Sequence, residues 1–375
     1  MKKISVGTIF SGIGAFEFAL KRKNINHEIE FACDNGNINL EIDYKTEFIN
    51  LNKLKSSEEK NQFVREIYKN NSKRTNYIER SYIANYKIDN KKFFYDVKLF
   101  DGNDFKNKID ILVGGSPCQS FSAIGNREGF EDARGTLFYE YARIVSEVQP
   151  KVFIYENVFG VLTHDNKKTW KIMQKIFLNL GYHIKFEVLN SKDFGIPQSR
   201  RRLFVIGFKE QKFSDKFEFP KKEKLKYSMK DFLENKVFLG DFISNKKGMI
   251  EIKKNGNYKT DAKYFLSEKL KKYVFSPGTK NFYHKNAKID LDVARALLST
   301  MGNSHRASVN NYITENGETR ALTEREAHRL MGFTDEYLIV NSRSQSYKQA
   351  GNSIVVDVIL KLNEQIFKTG VFDNE

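Results

Sequence analysis

Cysteine and proline are scarce in this chain of 375 residues, which has two of the first and five of the second. Two thiols, Cys33 and Cys118, cannot build a disulfide framework or a multi-cysteine zinc site, and they fit a reducing, cytoplasmic setting. Five prolines and no long biased tract argue against extended disorder. The six histidines are scattered without ligand spacing, so no metal is expected. No apolar run reaches the roughly 18 residues that a membrane span needs. The apolar stretch after Lys3 contains Glu17 and no small-residue cleavage site follows, which argues against a signal peptide. Internal repeats are absent.

What is present is core and positive charge. Hydrophobic residues make up 40% and aromatics 14%, enough for a large domain and a smaller one. The net charge of +16 points to a polyanionic partner, nucleic acid first. A chain this rich in Lys, Asn and Ile can be basic for compositional reasons alone, so charge does not decide the matter.

The chain is organised around Gly114-Gly115-Ser116-Pro117-Cys118-Gln119. It follows the apolar run 109–113, which reads as a buried parallel strand feeding a tight loop. A thiol at the carboxyl end of such a strand stands where α/β sheets place their chemistry, although most free cysteines are only small buried hydrophobes. Residues 4–10 predict a first strand, 11–14 a Gly turn and 15–22 a helix. That is the usual opening of a nucleotide-binding sheet, but Glu17 replaces the third glycine of a dinucleotide fingerprint. Asp34 ends the next apolar run, where a carboxylate meets ribose hydroxyls. Residues 36–92 read as a solvated helical insertion at the sheet edge, and 93–97 as a short strand ending near Asp96.

Further on, 134–148 predicts a helix stopped by Pro150, and 151–155 a buried strand ending in Glu156. A helix over 169–180 and strands over 186–190 and 202–207 follow. Between the strands lies Gln198-Ser199-Arg200-Arg201-Arg202, where alternation puts Arg200 and Arg202 on one face. From 209 to 288 periodicity is poor and 21 lysines face 10 acids, which sets a domain boundary near 209. A helix from Thr323 to Met331 and an apolar helix over 354–366 close the chain.

Taken together the loops resemble those of the cytosine-C5 DNA methyltransferases. The matching stretches are Phe10-Ser11-Gly12-Ile13-Gly14, 115–122 around Pro117-Cys118-Gln119, Arg134-Gly135-Thr136-Leu137-Phe138 and Glu156-Asn157-Val158. They continue with Gln198 to Arg202, Arg320-Ala321-Leu322-Thr323, Arg329-Leu330-Met331-Gly332-Phe333 and Gly351-Asn352-Ser353, in the family's order. Departures are Ser116 where many members carry Phe, Asp34 where Glu is common, Asn35 where a large apolar residue often packs on adenine, and the insertion itself.

The resemblance implies an α/β fold. Its catalytic and cofactor domain, 1–208 with the insertion 36–92, has a Rossmann-like, mostly parallel sheet. A smaller, irregular DNA-recognition domain and hinge would span 209–330, and 331–375 would return to the first domain. It implies methyl transfer from S-adenosylmethionine to carbon 5 of a flipped-out cytosine in a short duplex sequence. Cys118 would attack carbon 6, Glu156 would hold the ring at N3 and the 4-amino group, Arg202 would contact O2, and Arg200 would support it. The cofactor would meet Phe10, Gly12, Ile13, Gly14, Asp34, Asp96, Val97, Pro117, Leu137, Asn352 and Ser353. DNA contacts are expected from Gln119, Ser122, Gln198, Arg295 and Arg306. The implied setting is a bacterial restriction–modification system: a monomer on double-stranded DNA, with a cognate endonuclease acting at the same site without direct contact.

Three other readings compete. The same chemistry on tRNA usually comes with a Pro-Pro-Cys-Gln loop and little recognition domain, unlike Ser116-Pro117 and the long segment here. A non-catalytic relative would not need Cys118, Glu156 and Arg202 together. A nicotinamide dehydrogenase would need the missing third glycine.

Overall fold

The computed structural model describes residues 3–117, 137–253, 259–276, 287–303 and 305–373. Its frame is a set of buried strands: β1 Ile4–Ile9, β2 His27–Cys33, β3 Phe93–Phe94, β4 Ile111–Gly114, β5 Val152–Val158, β6 His183–Asn190, the short β7 Gln198–Ser199, and β8 Arg201–Phe208. Seven of them form one sheet in the order β3-β2-β1-β4-β5-β8-β6. β1 to β5 pair in parallel, and β8 runs antiparallel to both β5 and β6. The α/β, mostly parallel architecture expected from the sequence is therefore present. From β1 the order runs outward to β2 and to β4, so the carboxyl ends of β1 and β4 flank a switch point, where open α/β sheets leave a crevice.

Continuous apolar runs explain why these strands are central. Ile111, Leu112, Val152, Phe153 and Ile154 are wholly buried, as strands covered on both faces require. Helices α1 Ala15–Arg22 and α11 Val356–Lys368 pack together on one face, where Val6, Ile111, Ile154 and Ile206 meet Phe18 and Ile359. Helices α5 Leu137–Val148 and α6 Lys168–Asn179 cover the other, where Ile9, Leu112, Phe153 and Val205 meet Tyr141 and Phe177. Alternation along each strand sorts its side chains between these two layers.

The insertion departs from expectation. Its helices are α2 Tyr44–Leu51, α3 Ser57–Asn71 and α4 Tyr77–Tyr86, and they are not a solvated excursion. Val64, Ile67 and Tyr68 form a stripe on α3 that packs with Ile38, Leu40, Leu51 and Leu99, while Ile78 and Tyr82 enter the main core. Apolar and aromatic residues at helical spacing within a Lys- and Asn-rich background carry that signal.

After residue 209 regular structure thins. Helix α7 Gln211–Lys216, helix α8 Glu268–Phe275 and two short antiparallel pairs, Phe242–Ser244 with Ile250–Ile252 and Tyr312–Glu315 with Glu318–Ala321, are joined by irregular chain. Phe217, Met229, Phe232 and Phe242 nevertheless share a core with the sheet. Thr323 caps α9 Glu324–Arg329 through a reciprocal capping box with Glu326. Helix α10 Arg343–Asn352 was not foreseen, because its polar sequence has no apolar stripe; it is held by buried Tyr347, Gln349 and Ala350. Among the described residues no helix is long and apolar enough to cross a membrane.

Candidate active site

Cys118 lies outside the described residues, as do Gln119, Ser122 and 134–136. The approach to it is described. Gly114 ends β4 against Ile9 of β1 and Tyr155 of β5. Gly115 then runs along Glu156 so closely that a Cβ there would sit 2.7 Å from the Glu156 backbone oxygen and 3.0 Å from its Oε2. Only glycine admits that approach. The buried Ser116 Oγ is 2.7 Å from the Tyr155 hydroxyl, and Asn157 Nδ2 donates to Ser116 O at 2.9 Å and to Tyr155 Oη at 2.7 Å. This closed ring anchors the chain just before Pro117. Sequence reading did not assign it; the signal was the coincidence of Ser116 in place of Phe with a tyrosine before Glu156.

Glu156 Oε1 is 3.1 Å from Arg202 Nε across the β5–β8 pair. Burial pushes the Glu156 carboxyl up from its usual range, and Arg202 and Arg200 pull it back. Arg200 faces the same side, as alternation requires, but its terminal nitrogens are occupied. Nη1 donates to Leu297 O, and Nη2 to Gly351 O and Ser353 O, all at 2.9 Å. Burial and repulsion from Arg202 push this guanidinium down to about 9, which leaves it charged at neutral pH. Arg201 instead lies over the exposed Phe159 ring at 4.2 Å.

Beside this group is a cavity at the switch point, lined by Phe10, Gly12 and Ile13 from the first loop, Glu17 from α1, Gly114 from β4, and Asn352 and Ser353 from the C-terminal segment. Phe10, Gly12 and Gly14 all have positive φ, which shapes the turn that opens it. Asp34 Oδ2 accepts from Gly12 N and Oδ1 from Gly36 N, both at 2.9 Å. Asp96 is buried at the start of the turn after β3, with Val97 buried behind it and Leu137 partly buried at the start of α5. Burial pushes both carboxyls up. Pro117 is exposed. Among the described residues no cluster of His, Cys, Asp and Glu could hold a metal.

One expectation needs correction. Gln198 is fully buried: Nε2 donates to Leu330 O at 2.7 Å and Oε1 accepts from Leu297 N at 2.9 Å, so it fastens segments together instead of facing DNA. Arg295 is partly buried and donates to Lys288 O, and Arg306 stacks 4.1 Å from the Tyr273 ring while donating to Tyr273 O.

A family model described as C-5 cytosine-specific DNA methylase matches residues 63–368. The chain is 36% identical over 250 residues to the type II methyltransferase M.HhaI of Haemophilus parahaemolyticus, covering 67% of this chain and 73% of that protein. It is 35% identical over 289 residues to M.NgoBI of Neisseria gonorrhoeae, covering 76% and 80%. Among solved structures, the S. pombe Dnmt2 methyltransferase superposes with a TM-score of 0.64 at 19% identity, covering 98% of this chain and 99% of that one. A putative DNA modification methyltransferase from an E. coli prophage superposes at 0.59 and 20% identity, covering 98% and 100%.

Proposed function

The chain belongs to the C-5 cytosine-specific DNA methylases, of the restriction–modification type, and on that premise we propose how its residues share the work. The reaction is transfer of a methyl group to carbon 5 of a cytosine flipped out of a specific short duplex sequence, through a covalent bond between Cys118 and carbon 6. Carbon 5 is a poor nucleophile until a thiolate adds at carbon 6 and leaves electron density on it. The observation that carries the reading is the contact of Gly115 with Glu156. It brings the segment leading into Cys118 against a buried carboxyl that is itself paired with Arg202.

Glu156 would hold N3 and the 4-amino group; its raised proton affinity suits a hydrogen bond to a ring nitrogen that gains charge as the thiolate adds. Arg202 would contact O2. Arg200, tied to Leu297, Gly351 and Ser353, would hold the C-terminal return against the site. S-adenosylmethionine, the methyl donor, supplies an activated methyl on a sulfonium centre. The switch-point cavity would take its methionine end, Asp34 would accept from ribose hydroxyls, and Asp96 would accept from the adenine amino group. Residues 1–208 would form the catalytic unit, 209–330 the recognition unit and hinge, and 331–375 the return. Flipping the base costs a few kcal/mol, which contacts from the recognition unit would offset. Double-stranded DNA is the partner, with the protein acting as a monomer beside a cognate endonuclease that does not touch it.

A 5-fluorocytosine duplex tests the mechanism, because fluorine cannot leave carbon 5 as a cation and the adduct cannot resolve. With S-adenosylmethionine the protein should form a complex that survives denaturing electrophoresis and carries one methyl group. Cys118→Ser should abolish it, since a hydroxyl is far less ionised than a thiol near neutral pH. An adduct that persists in Cys118→Ser, or methyl transfer to a tRNA but to no DNA, would overturn the proposal. Buried Cys33, whose thiol is pushed well up by burial and by Asp96, should be dispensable.

A further inference from the structure

Each helix of the insertion sends a polar side chain toward the acids or the loop assigned above to the methyl donor. From α3, the Tyr68 hydroxyl donates to Asp96 Oδ2 at 2.8 Å. From α2, the Tyr44 hydroxyl comes close enough to Asp96 for the carboxylate to add to burial in raising it. Ahead of α4, Asn76 Nδ2 donates to Asp34 O at 2.8 Å. From the end of α4, the Tyr86 hydroxyl reaches Ile13 O at 3.0 Å, and its ring fills the space a side chain on Gly14 would take, 2.2 Å from a built Cβ. None of these contacts is needed to bury apolar surface, which the helices already do through Val64, Ile67 and Ile78.

We propose that the insertion is the outer wall of the methyl-donor pocket, and that Tyr68 is a positioning residue whose hydroxyl aims Asp96 at the donor's adenine amino group. The inference rests on the reading of Asp96 given above. A carboxylate offers about four acceptor positions. Lys98 N on Oδ1 and Tyr68 on Oδ2 occupy two of them, which leaves acceptor capacity for a ligand N–H. The groups facing Asp96 are Tyr68, Tyr44, the Lys98 amide and ammonium on its own turn, and Cys33 from β2. Arg143 from α5 grips the same turn at Val97 O and Phe100 O. Burial raises Asp96, and the tyrosine and amide donors oppose that rise. Removing the Tyr68 hydroxyl should therefore let Asp96 take up a proton at higher pH and lose its aim together.

The test is calorimetric titration of the full-length enzyme with S-adenosylhomocysteine and with its inosine analogue, which lacks the amino group, across about pH 5 to 9. Tyr68→Phe should weaken S-adenosylhomocysteine about tenfold or more, the scale of a hydrogen bond to a charged group. It should also narrow the preference over the inosine analogue, and move the acid limb of binding up by about one pH unit. The donor KM should rise with kcat unchanged at saturating donor. Tyr44→Phe should act in the same direction and more weakly, which keeps the test valid if Tyr68→Phe folds poorly. Asp96→Asn should remove the acid limb altogether. Normal binding by Asp96→Asn would overturn both the reading of Asp96 and this inference. Weak binding by Asp96→Asn, with both tyrosine variants matching the parent in affinity, analogue preference and pH limb, would overturn the inference alone.

Discussion

The sheet and the chain beyond residue 209 satisfy their backbones in different ways. In the sheet, amides and carbonyls pair with one another: β8 is matched residue for residue from Val152 to Val158 on one side and from His183 to Asn190 on the other. Beyond 209 the strands are short, and carbonyls that no ladder reaches take their partners from buried guanidinium groups. Arg329 donates to Phe232 O, Val237 O and Phe238 O while pairing with Asp335 at 2.7 Å. Arg320 is wholly buried between Glu315 and Glu326 and donates to Ala321 O. Arg22 reaches from α1 to Gly332 O, Gly248 O and Asp357. Arginine suits the task because its planar fork serves several acceptors at once. An irregular lobe can thus be ordered by buried charge, provided every charge keeps its partner.

Removing one guanidinium is the most direct way to break this comparison. Arg329→Leu takes the close ion pair from Asp335, which keeps only backbone donors and the more distant Arg325, and the guanidinium donor from Phe232 O and Val237 O, and should cost about 3–5 kcal/mol in urea unfolding. Ile206→Val, a trim in the sheet core, should cost about 0.5–1.5 kcal/mol. Equal costs would show that the two halves do not differ in this way.

Acid sharpens the contrast next. His328 is buried against Phe333 and Tyr337 with its Nδ1 on Glu324 O, and burial pushes it down to about 4. The unfolded chain binds its proton near pH 6.5, so between there and about 4 the unfolded state carries more protons and stability falls as pH falls. The loss should reach about 3 kcal/mol, from about 1.4 kcal/mol per pH unit. A His328→Gln variant should show a flatter stability curve over that window; an unchanged slope would remove His328 as the cause.

The smallest free-energy change separates function from stability within the sheet. Glu156→Gln keeps the shape and should leave DNA and donor binding in place. Turnover should nonetheless fall about 100-fold, roughly 2.7 kcal/mol of transition-state stabilisation. Near-normal turnover would reduce Glu156 to a partner for Arg202.

Much of the sheet was legible because its signals are local. Apolar runs, the glycines at 12 and 14, Pro150 and the Thr323–Glu326 capping pair each mark an element within a few residues. Helix α10 was missed because Ser342 to Asn352 has almost no apolar stripe, and its packing comes from partners elsewhere. Gln198 was misassigned for a related reason. A glutamine among arginines beside a site reads as a DNA contact until the partners that enclose it, Leu297 and Leu330, are known.

By itself the sequence determined the strand–loop–helix units and the placing of Asp34, Asp96 and Glu156 beside strand ends, since hydrophobic period and turn residues act over short distances. Only the tertiary structure decided which distant groups meet. Tyr68 reaches Asp96 across 28 residues, and Arg200 reaches Gly351 across 151. No local period encodes such a meeting; it follows from helices and strands packing their apolar faces and carrying their polar side chains to wherever the packing leaves them.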